Sequence, residues 1–225
     1  LRLGVDGGGA IRPAEAPGRS PFPVKQGIND IVRLWHGKPW ALQVDAVVNS
    51  TSESLTAYEG SAQDNIHIAA GPLLAQDCSA IGHLRTVGDA RVTGAHDLGA
   101  GAVIHIAGPR YGVKYKDAVE NALSQSYRAC LDLLVEKKLR TISIGCIYAV
   151  GKTFPREQAA HIAIRTVRRF LERYSHKVGA VVLSTISSAD YDIYLKVLPL
   201  YFPRTEEEEE AARRGLPEHV GNETG

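Results

Sequence analysis

The sequence contains no methionine and only three cysteines in 225 residues. Because position 1 is not methionine, we expect either that a leading segment was removed or that the chain is a fragment. Cys78, Cys130 and Cys146 lie far apart, are odd in number and lack metal-ligand spacing, which argues against a disulfide framework. We therefore expect free, mostly buried thiols and a reducing compartment.

The chain also lacks a long hydrophobic run and an excess of charge of one sign. No apolar segment approaches the ~20 residues needed to cross a bilayer. The net charge is +1, from 26 basic and 25 acidic residues, so no overall field draws the chain to nucleic acid or an anionic membrane. We expect no transmembrane segment, no nucleic-acid partner and an intracellular location, with the cytoplasm favoured and an organelle matrix left open.

The eight histidines show no His-x-x-x-His or His-Glu spacing, so no metal ion is expected. His67 and His105 have apolar neighbours, and we interpret both as hydrogen-bonded core histidines. Cys146 follows a predicted strand but has no evident base partner, so a small buried thiol is a better interpretation than a nucleophile.

Composition along the chain predicts one domain between two tails. Residues 1–23 are rich in Gly and Pro and read as a flexible arm, and residues 205–225 form an acidic and polar tail that begins with five glutamates at 206–210. The part between them, residues 24–204, is apolar enough to build one core.

Within this domain, strand-like and helix-like patterns alternate. Apolar stripes with a 3.6-residue period alternate with short apolar runs of the buried-strand kind, which is typical of an α/β domain with a largely parallel sheet. The predicted helices cover residues 117–138, 155–174 and 189–198, and the predicted strands cover 30–35, 46–48, 141–146 and 179–184.

One strand–loop–helix segment looks like a nucleotide-binding P-loop but is not one. Five residues, 146–150, separate Gly145 from the run Gly151-Lys152-Thr153, whereas the P-loop has four residues between its glycines. The helix also begins beyond Thr153, so the backbone N–H groups would not line up with the lysine. The sequence therefore argues against ATP hydrolysis.

Three motifs give a better explanation of the same edge of the sheet: residues 45–52 (DAVVNSTS), 66–72 (IHIAAGP) and 103–109 (VIHIAGP). Together they resemble the macro domain, a family of ADP-ribose binders and ADP-ribosyl hydrolases. The resemblance covers roughly residues 31–204 and implies a three-layer α/β/α fold with a mixed, mostly parallel sheet. In one branch of this family, similar at 165–171 and 198–204, a Sec14-type domain commonly follows; whether the native gene encodes one stays open.

The resemblance implies no cofactor, but a ligand, ADP-ribose, held by two loops beyond the carboxyl ends of the strands. Glycine is needed in such loops because the backbone must approach phosphate closely. If the site is retained, the expected ligand-binding residues are Asn49, Ser52, Gly60, Gly145, Tyr148, Gly151, Lys152 and Phe154. Among them, Lys152 would offer a cation to a phosphate, and Tyr148 or Phe154 would stack on a base or ribose.

Four departures from the family pattern weaken that site. Lys38 stands where the family has an aspartate that accepts from the adenine amino group, and a lysine only donates. Ser52 replaces the second asparagine of the family's Asn-Ala-Ala-Asn motif. The glycine run of the first loop is reduced to Gly60, and the second loop lacks its Ser-Thr-Gly core.

Because four contacts change together, we expect a degenerate, non-catalytic macro domain with no catalytic residue, a pseudoenzyme that acts as a binding or scaffold module for a protein partner. Two alternatives stay open. The domain is a reader that binds ADP-ribose or a related nucleotide through Asn49, or it is an ADP-ribosyl hydrolase in which Ser52 takes the place of the missing asparagine.

Overall fold

The structure, a computed structural model, describes residues 20–56, 62–85, 88–147 and 154–217. The strands are β1 Val32–His36, β2 Ala46–Thr51, β3 Ala90–Gly94, β4 Ala102–Ala107, β5 Thr141–Ile144 and β6 Ala180–Thr185. The helices are α1 Gln26–Asn29, α2 Ala62–Ala70, α3 Pro72–Ile81, α4 Lys116–Glu136, α5 Arg156–Tyr174, α6 Ser188–Tyr201 and α7 Glu206–Gly215. In this part of the chain no helix is long and apolar enough to span a bilayer.

The six strands form one sheet in the order β1-β6-β5-β2-β4-β3. All neighbours are parallel except β3, which runs antiparallel to β4. The central strands β2 and β4 are buried almost throughout, as expected for strands covered on both faces. The carboxyl ends of β1, β2, β4, β5 and β6 therefore meet at one edge of the sheet.

Helices cover both faces of this sheet. Alternate residues of a strand face opposite sides, and on β2 the side chains of Ala46 and Val48 join the larger core beneath α4, α5 and α6. Val47 joins the smaller core beneath α2 and α3. The α/β fold class with three layers is thus confirmed, and Asn49 lies on the same face as Val47.

Two segments assigned to tails by the sequence analysis have defined structure. Phe22 is fully buried in the larger core. Residues 206–215 form α7, whose N-terminus is capped by Thr205, since its hydroxyl oxygen accepts from the Glu208 N–H at 3.2 Å. Acidic residues in a first helical turn are favourable because they face the positive end of the helix dipole. The domain boundaries after residues 23 and 204 stay predictions.

A buried arginine joins both ends of the described chain. Arg168 on α5 is fully buried, and its guanidinium donates to the Tyr201 carbonyl and to the Pro23 carbonyl, both at 2.8 Å. Its Nε donates to Glu172 at 2.9 Å. The planar fork of arginine serves three acceptors at once, which a single ammonium group cannot do.

We expect Arg168→Met to lower the free energy of unfolding by about 3 kcal/mol, because two buried carbonyls lose their donors. Urea unfolding at neutral pH measures this loss. The matched control is Arg173→Met, which removes the same charge from an exposed position of the same helix and should cost less than about 0.5 kcal/mol. Equal losses of unfolding free energy in the two variants would contradict the role of Arg168 as the buried donor to these carbonyls.

Candidate functional site

Beyond the end of β5 the chain is held at one residue, Ile147. The hydroxyl of Tyr127 on α4 accepts a hydrogen bond from the Ile147 N–H at 3.1 Å and donates to the Gly145 carbonyl at 3.2 Å. The Ser50 hydroxyl at the end of β2 donates to the Ile147 carbonyl at 3.1 Å. Tyr127 and Ile147 are both fully buried. The chain that leads into residues 148–153 therefore starts from a fixed point.

Gly108, directly after β4, allows the chain to pack closely against Ile147. A β-carbon at this position would lie 2.5 Å from the Ile147 Cγ2 atom and 2.8 Å from the Ile147 carbonyl oxygen. Both distances are shorter than real β-carbon contacts, and the carbonyl is backbone that is already hydrogen-bonded. Only glycine allows β4 and the chain beyond β5 to approach so closely.

We expect Gly108→Ala to destabilise the domain by about 2 kcal/mol, because the methyl group forces Ile147 away from Tyr127 and Ser50. Thermal unfolding followed by circular dichroism measures the loss. Gly112→Ala is the matched control, since a β-carbon there meets nothing within 4 Å. A Gly108→Ala variant as stable as Gly112→Ala would contradict the steric argument.

Asn49 and His105 form the polar centre of the site. They are directly paired neighbours on β2 and β4, and both are almost fully buried. The Asn49 Nδ2 atom lies 3.1 Å from His105 Nδ1, and His105 Nε2 lies 2.9 Å from the Thr93 Oγ1 atom on β3. The Thr93 hydroxyl donates to the Gly94 carbonyl at 3.1 Å. The prediction that His105 is a hydrogen-bonded core histidine is met by this geometry.

The surroundings keep this centre uncharged. Burial, followed by the nearby His67, lowers the pKa of His105 to about 4, against a smaller opposing effect of Asp77. The Cys78 sulfur lies 3.9 Å from both ring nitrogens, and burial raises the pKa of its thiol to about 11. A neutral imidazole and a protonated thiol therefore lie side by side at neutral pH.

The lowered pKa of His105 makes stability depend on pH. The unfolded chain takes up a proton near pH 6.5 and the folded one only near pH 4, so stability falls as the pH drops through this window. We expect wild-type protein to lose about 2 kcal/mol between pH 7 and pH 5 relative to His105→Gln, in which this titration is absent. Urea unfolding at both values measures the difference. Parallel pH profiles for the two proteins would contradict a neutral buried His105.

The described part of the first loop leaves β2 in a tight turn. Ser52 is partly buried, and its hydroxyl lies 2.9 Å from the Ser54 hydroxyl. The Leu55 N–H donates to the Ser52 carbonyl at 3.1 Å, and Leu55 adopts a positive φ of 58° with its side chain buried. The Leu84 N–H donates to the Glu53 carbonyl at 2.8 Å, which ties the turn to the chain after α3.

The remaining predicted site residues divide between the core and the undescribed part of the chain. Gly145 lies at the end of β5 with its carbonyl on Tyr127. The ring of Phe154 is buried in the larger core, 4.8 Å from the ring of Tyr111. Gly60, Tyr148, Gly151 and Lys152 lie outside the described residues. Whether any of these residues binds a ligand stays a prediction.

Lys38 is exposed, and it follows Gly37, whose N–H donates to the Thr185 carbonyl at the end of β6 at 2.9 Å. Across the described ranges, no three His, Cys, Asp or Glu side chains lie together as metal ligands would. Sequence reasoning missed Ser50, Thr93 and Tyr127. Tyr127 falls on the apolar stripe of α4, and Thr93 lies on a strand that was not predicted.

The fold and this edge define a three-layer α/β/α domain in which the parallel strands of one mixed sheet end at the same edge. The family model for the macro domain matches residues 48–163. A crystal structure of the macro domain of ganglioside induced differentiation associated protein 2 (GDAP2) is 37% identical, with a TM-score of 0.79 over 83% of this chain and 91% of that one. The chain belongs to the macro domain family.

Two further relatives are similar to this chain. The GDAP2 homolog of Nematostella vectensis is 44% identical over 92% of this chain, which spans 41% of that protein's length. GDAP2 is the branch indicated by residues 165–171 and 198–204. The Trypanosoma brucei macrodomain in complex with ADP-ribose is 27% identical, with a TM-score of 0.70 over 79% of this chain and 73% of that one.

Proposed function

We propose that this domain binds without hydrolysing, as a module that docks a partner or a ligand within a larger assembly. The observation that carries the proposal is Ser52. Its side chain is one hydroxyl, which already faces the Ser54 hydroxyl at 2.9 Å. A hydroxyl lacks the paired donor and acceptor of an amide and is shorter, so it cannot hold a substrate and a water in the same way.

Among the residues that the structure describes, the other candidate groups do not supply the missing chemistry. Both ring nitrogens of His105 have protein partners, and its low pKa makes it a poor base. Burial raises the pKa of the Cys78 and Cys130 thiols, which therefore lack the thiolate that a nucleophile requires. Lys38 on the exposed rim offers only a donor.

A second candidate is a reader of ADP-ribose. Two observations favour it. The T. brucei relative has been solved in complex with ADP-ribose. In this chain, the residues at the edge where the strands end are hydrogen-bonded to the protein, since Asn49 contacts His105 and the chain beyond β5 is held at Ile147. A reader needs affinity and orientation but no activated water. Binding and loss of hydrolysis are therefore compatible in one site.

Two assays on the purified chain test the proposal. Incubation with a mono-ADP-ribosylated protein should release no ADP-ribose above the protein-free background, and Ser52→Ala should behave identically. Turnover that Ser52→Ala abolishes would overturn the non-hydrolytic function in favour of a hydrolase. An active macro domain hydrolase serves as positive control.

Calorimetric titration with ADP-ribose, with AMP and ATP as controls, decides between the two binding functions. Micromolar or tighter binding of ADP-ribose alone supports the reader. No heat at millimolar ligand rejects the reader and favours a surface that docks a protein partner.

A further inference from the structure

β1 is an edge strand, so the backbone groups on its outer side face no other strand of the described sheet. It stands at one end of the strand order and pairs with β6. The Val181 N–H donates to the Ile31 carbonyl and the Gly37 N–H donates to the Thr185 carbonyl, both at 2.9 Å. Because successive residues of a strand turn their N–H and carbonyl groups to alternate sides, residues 31, 33, 35 and 37 bond to β6. Residues 32, 34 and 36 therefore point outward.

This outer edge is weakly protected. Among the outward backbone groups, only the Val32 carbonyl has a hydrogen-bond partner in the described part of the chain, the Arg33 Nη1 atom at 3.0 Å. An unpaired edge is a template for another strand, and proteins usually block it with charged side chains, a bulge or a proline. The five residues of β1 contain no proline and one arginine. The backbone of Leu34 and His36 is thus open to pairing.

The exposed side chains of β1 complement each other. Val32 is buried in the larger core and Leu34 packs against it, so Arg33 and Trp35 lie on the opposite face of the sheet. Both are exposed, and 43% of the surface of Trp35 is accessible. A tryptophan face is the best aromatic partner for a cation. A strand that offers both residues on one face matches a second, antiparallel copy of itself.

We infer that the outer edge of β1 pairs antiparallel with β1 of a second copy of this chain, with Leu34 of the two copies face to face. In this register residues 32 and 36 bond to each other across the twofold axis, so every outward group of both strands is paired. A register shifted by two residues leaves some of these groups unpaired. The inference goes beyond the proposed binding function, because the edge needs no ligand.

The same register brings the exposed side chains together. Arg33 of each copy lies opposite Trp35 of the other in a non-hydrogen-bonded pair, the position where side chains of antiparallel strands approach most closely. The twofold axis is perpendicular to the sheet, so the exposed faces of both copies lie on the same side. The edges at which the parallel strands end then point in opposite directions, and the dimer presents two such edges to separate partners.

Sedimentation velocity of the wild-type chain without ligand tests the association. A contact of five residues on each side is small, so we expect a weak dimer whose population rises between about 1 μM and about 1 mM. A chain that stays monomeric over this whole range would overturn the inference. The proposed function is unaffected by that result, since its assays depend on ligand binding and not on association.

A charge exchange tests the register. Trp35→Lys places a lysine opposite Arg33 twice in the dimer, and we expect it to weaken association at least about tenfold. Adding Arg33→Glu makes both pairs opposite in charge and should restore the affinity to within about threefold of wild type. The matched control is Tyr115→Lys, the same kind of change at a residue that is 62% exposed and lies beyond β4; it should associate like wild type.

Circular dichroism of each variant establishes that it is folded before its association is measured. Wild-type association by Trp35→Lys would show that β1 is not the contact. A double variant as weak as Trp35→Lys would overturn the register centred on Leu34. An equal loss in Tyr115→Lys would mean that added positive charge anywhere prevents association, which also contradicts pairing through β1.

Discussion

Both backbone polar groups of Ile147 are hydrogen-bonded to side chains of other elements. The position of the chain at the edge of the sheet where the parallel strands end depends on these two bonds. Tyr127 brings α4 to the N–H, Ser50 brings β2 to the carbonyl, and Gly108 allows β4 to come within contact distance. A buried N–H or carbonyl without a partner costs about 1–3 kcal/mol. The chain entering residues 148–153 is therefore fixed by the protein itself, before any ligand is present.

The residues that support the edge are more deeply buried than Lys38 and Ser52, the two described residues that differ from the family pattern. Tyr127, Ile147, Asn49 and His105 are buried and hydrogen-bonded, whereas Lys38 is exposed and Ser52 only partly buried. Substitutions at exposed positions usually change stability by less than about 0.5 kcal/mol. Residues at the surface of such a domain can therefore change while the buried residues keep the fold. For that reason, an intact macro fold is weak evidence of an intact hydrolase.

The sequence predicted those elements whose own residues specify them. The stripe of α5 and the apolar runs of β2 and β6 follow from periodicity alone, and the structure has them within a few residues of the predicted bounds. Other features depend on partners far along the chain. Phe22 is buried because Arg169 lies 4.5 Å from its ring centre and Tyr201 packs against it. β3 is a short edge strand of partly buried residues, a pattern that carries little local signal.

The site was less predictable than the fold for the same reason. Tyr127 has the spacing of a core residue, and nothing local reveals that its hydroxyl bridges two backbone groups 18 and 20 residues away. Phe154 was a candidate ligand contact; its ring packs on Tyr111, and whether it also meets a ligand stays a prediction. Lys38 and Ser52 were found from the sequence because the motif itself defines their positions. The contact of Thr93 with His105, by contrast, comes from a strand that the sequence did not reveal.

What remains at the end of β2 is one amide and one hydroxyl. The amide of Asn49 lies 3.1 Å from His105 Nδ1, and the Ser52 hydroxyl lies 2.9 Å from the Ser54 hydroxyl. Two such groups can hold a sugar hydroxyl but carry neither a charge nor a free base to activate water. Affinity requires only that buried polar groups be matched, whereas hydrolysis also requires a group whose pKa suits proton transfer. A serine at position 52 is therefore easier to reconcile with binding than with hydrolysis.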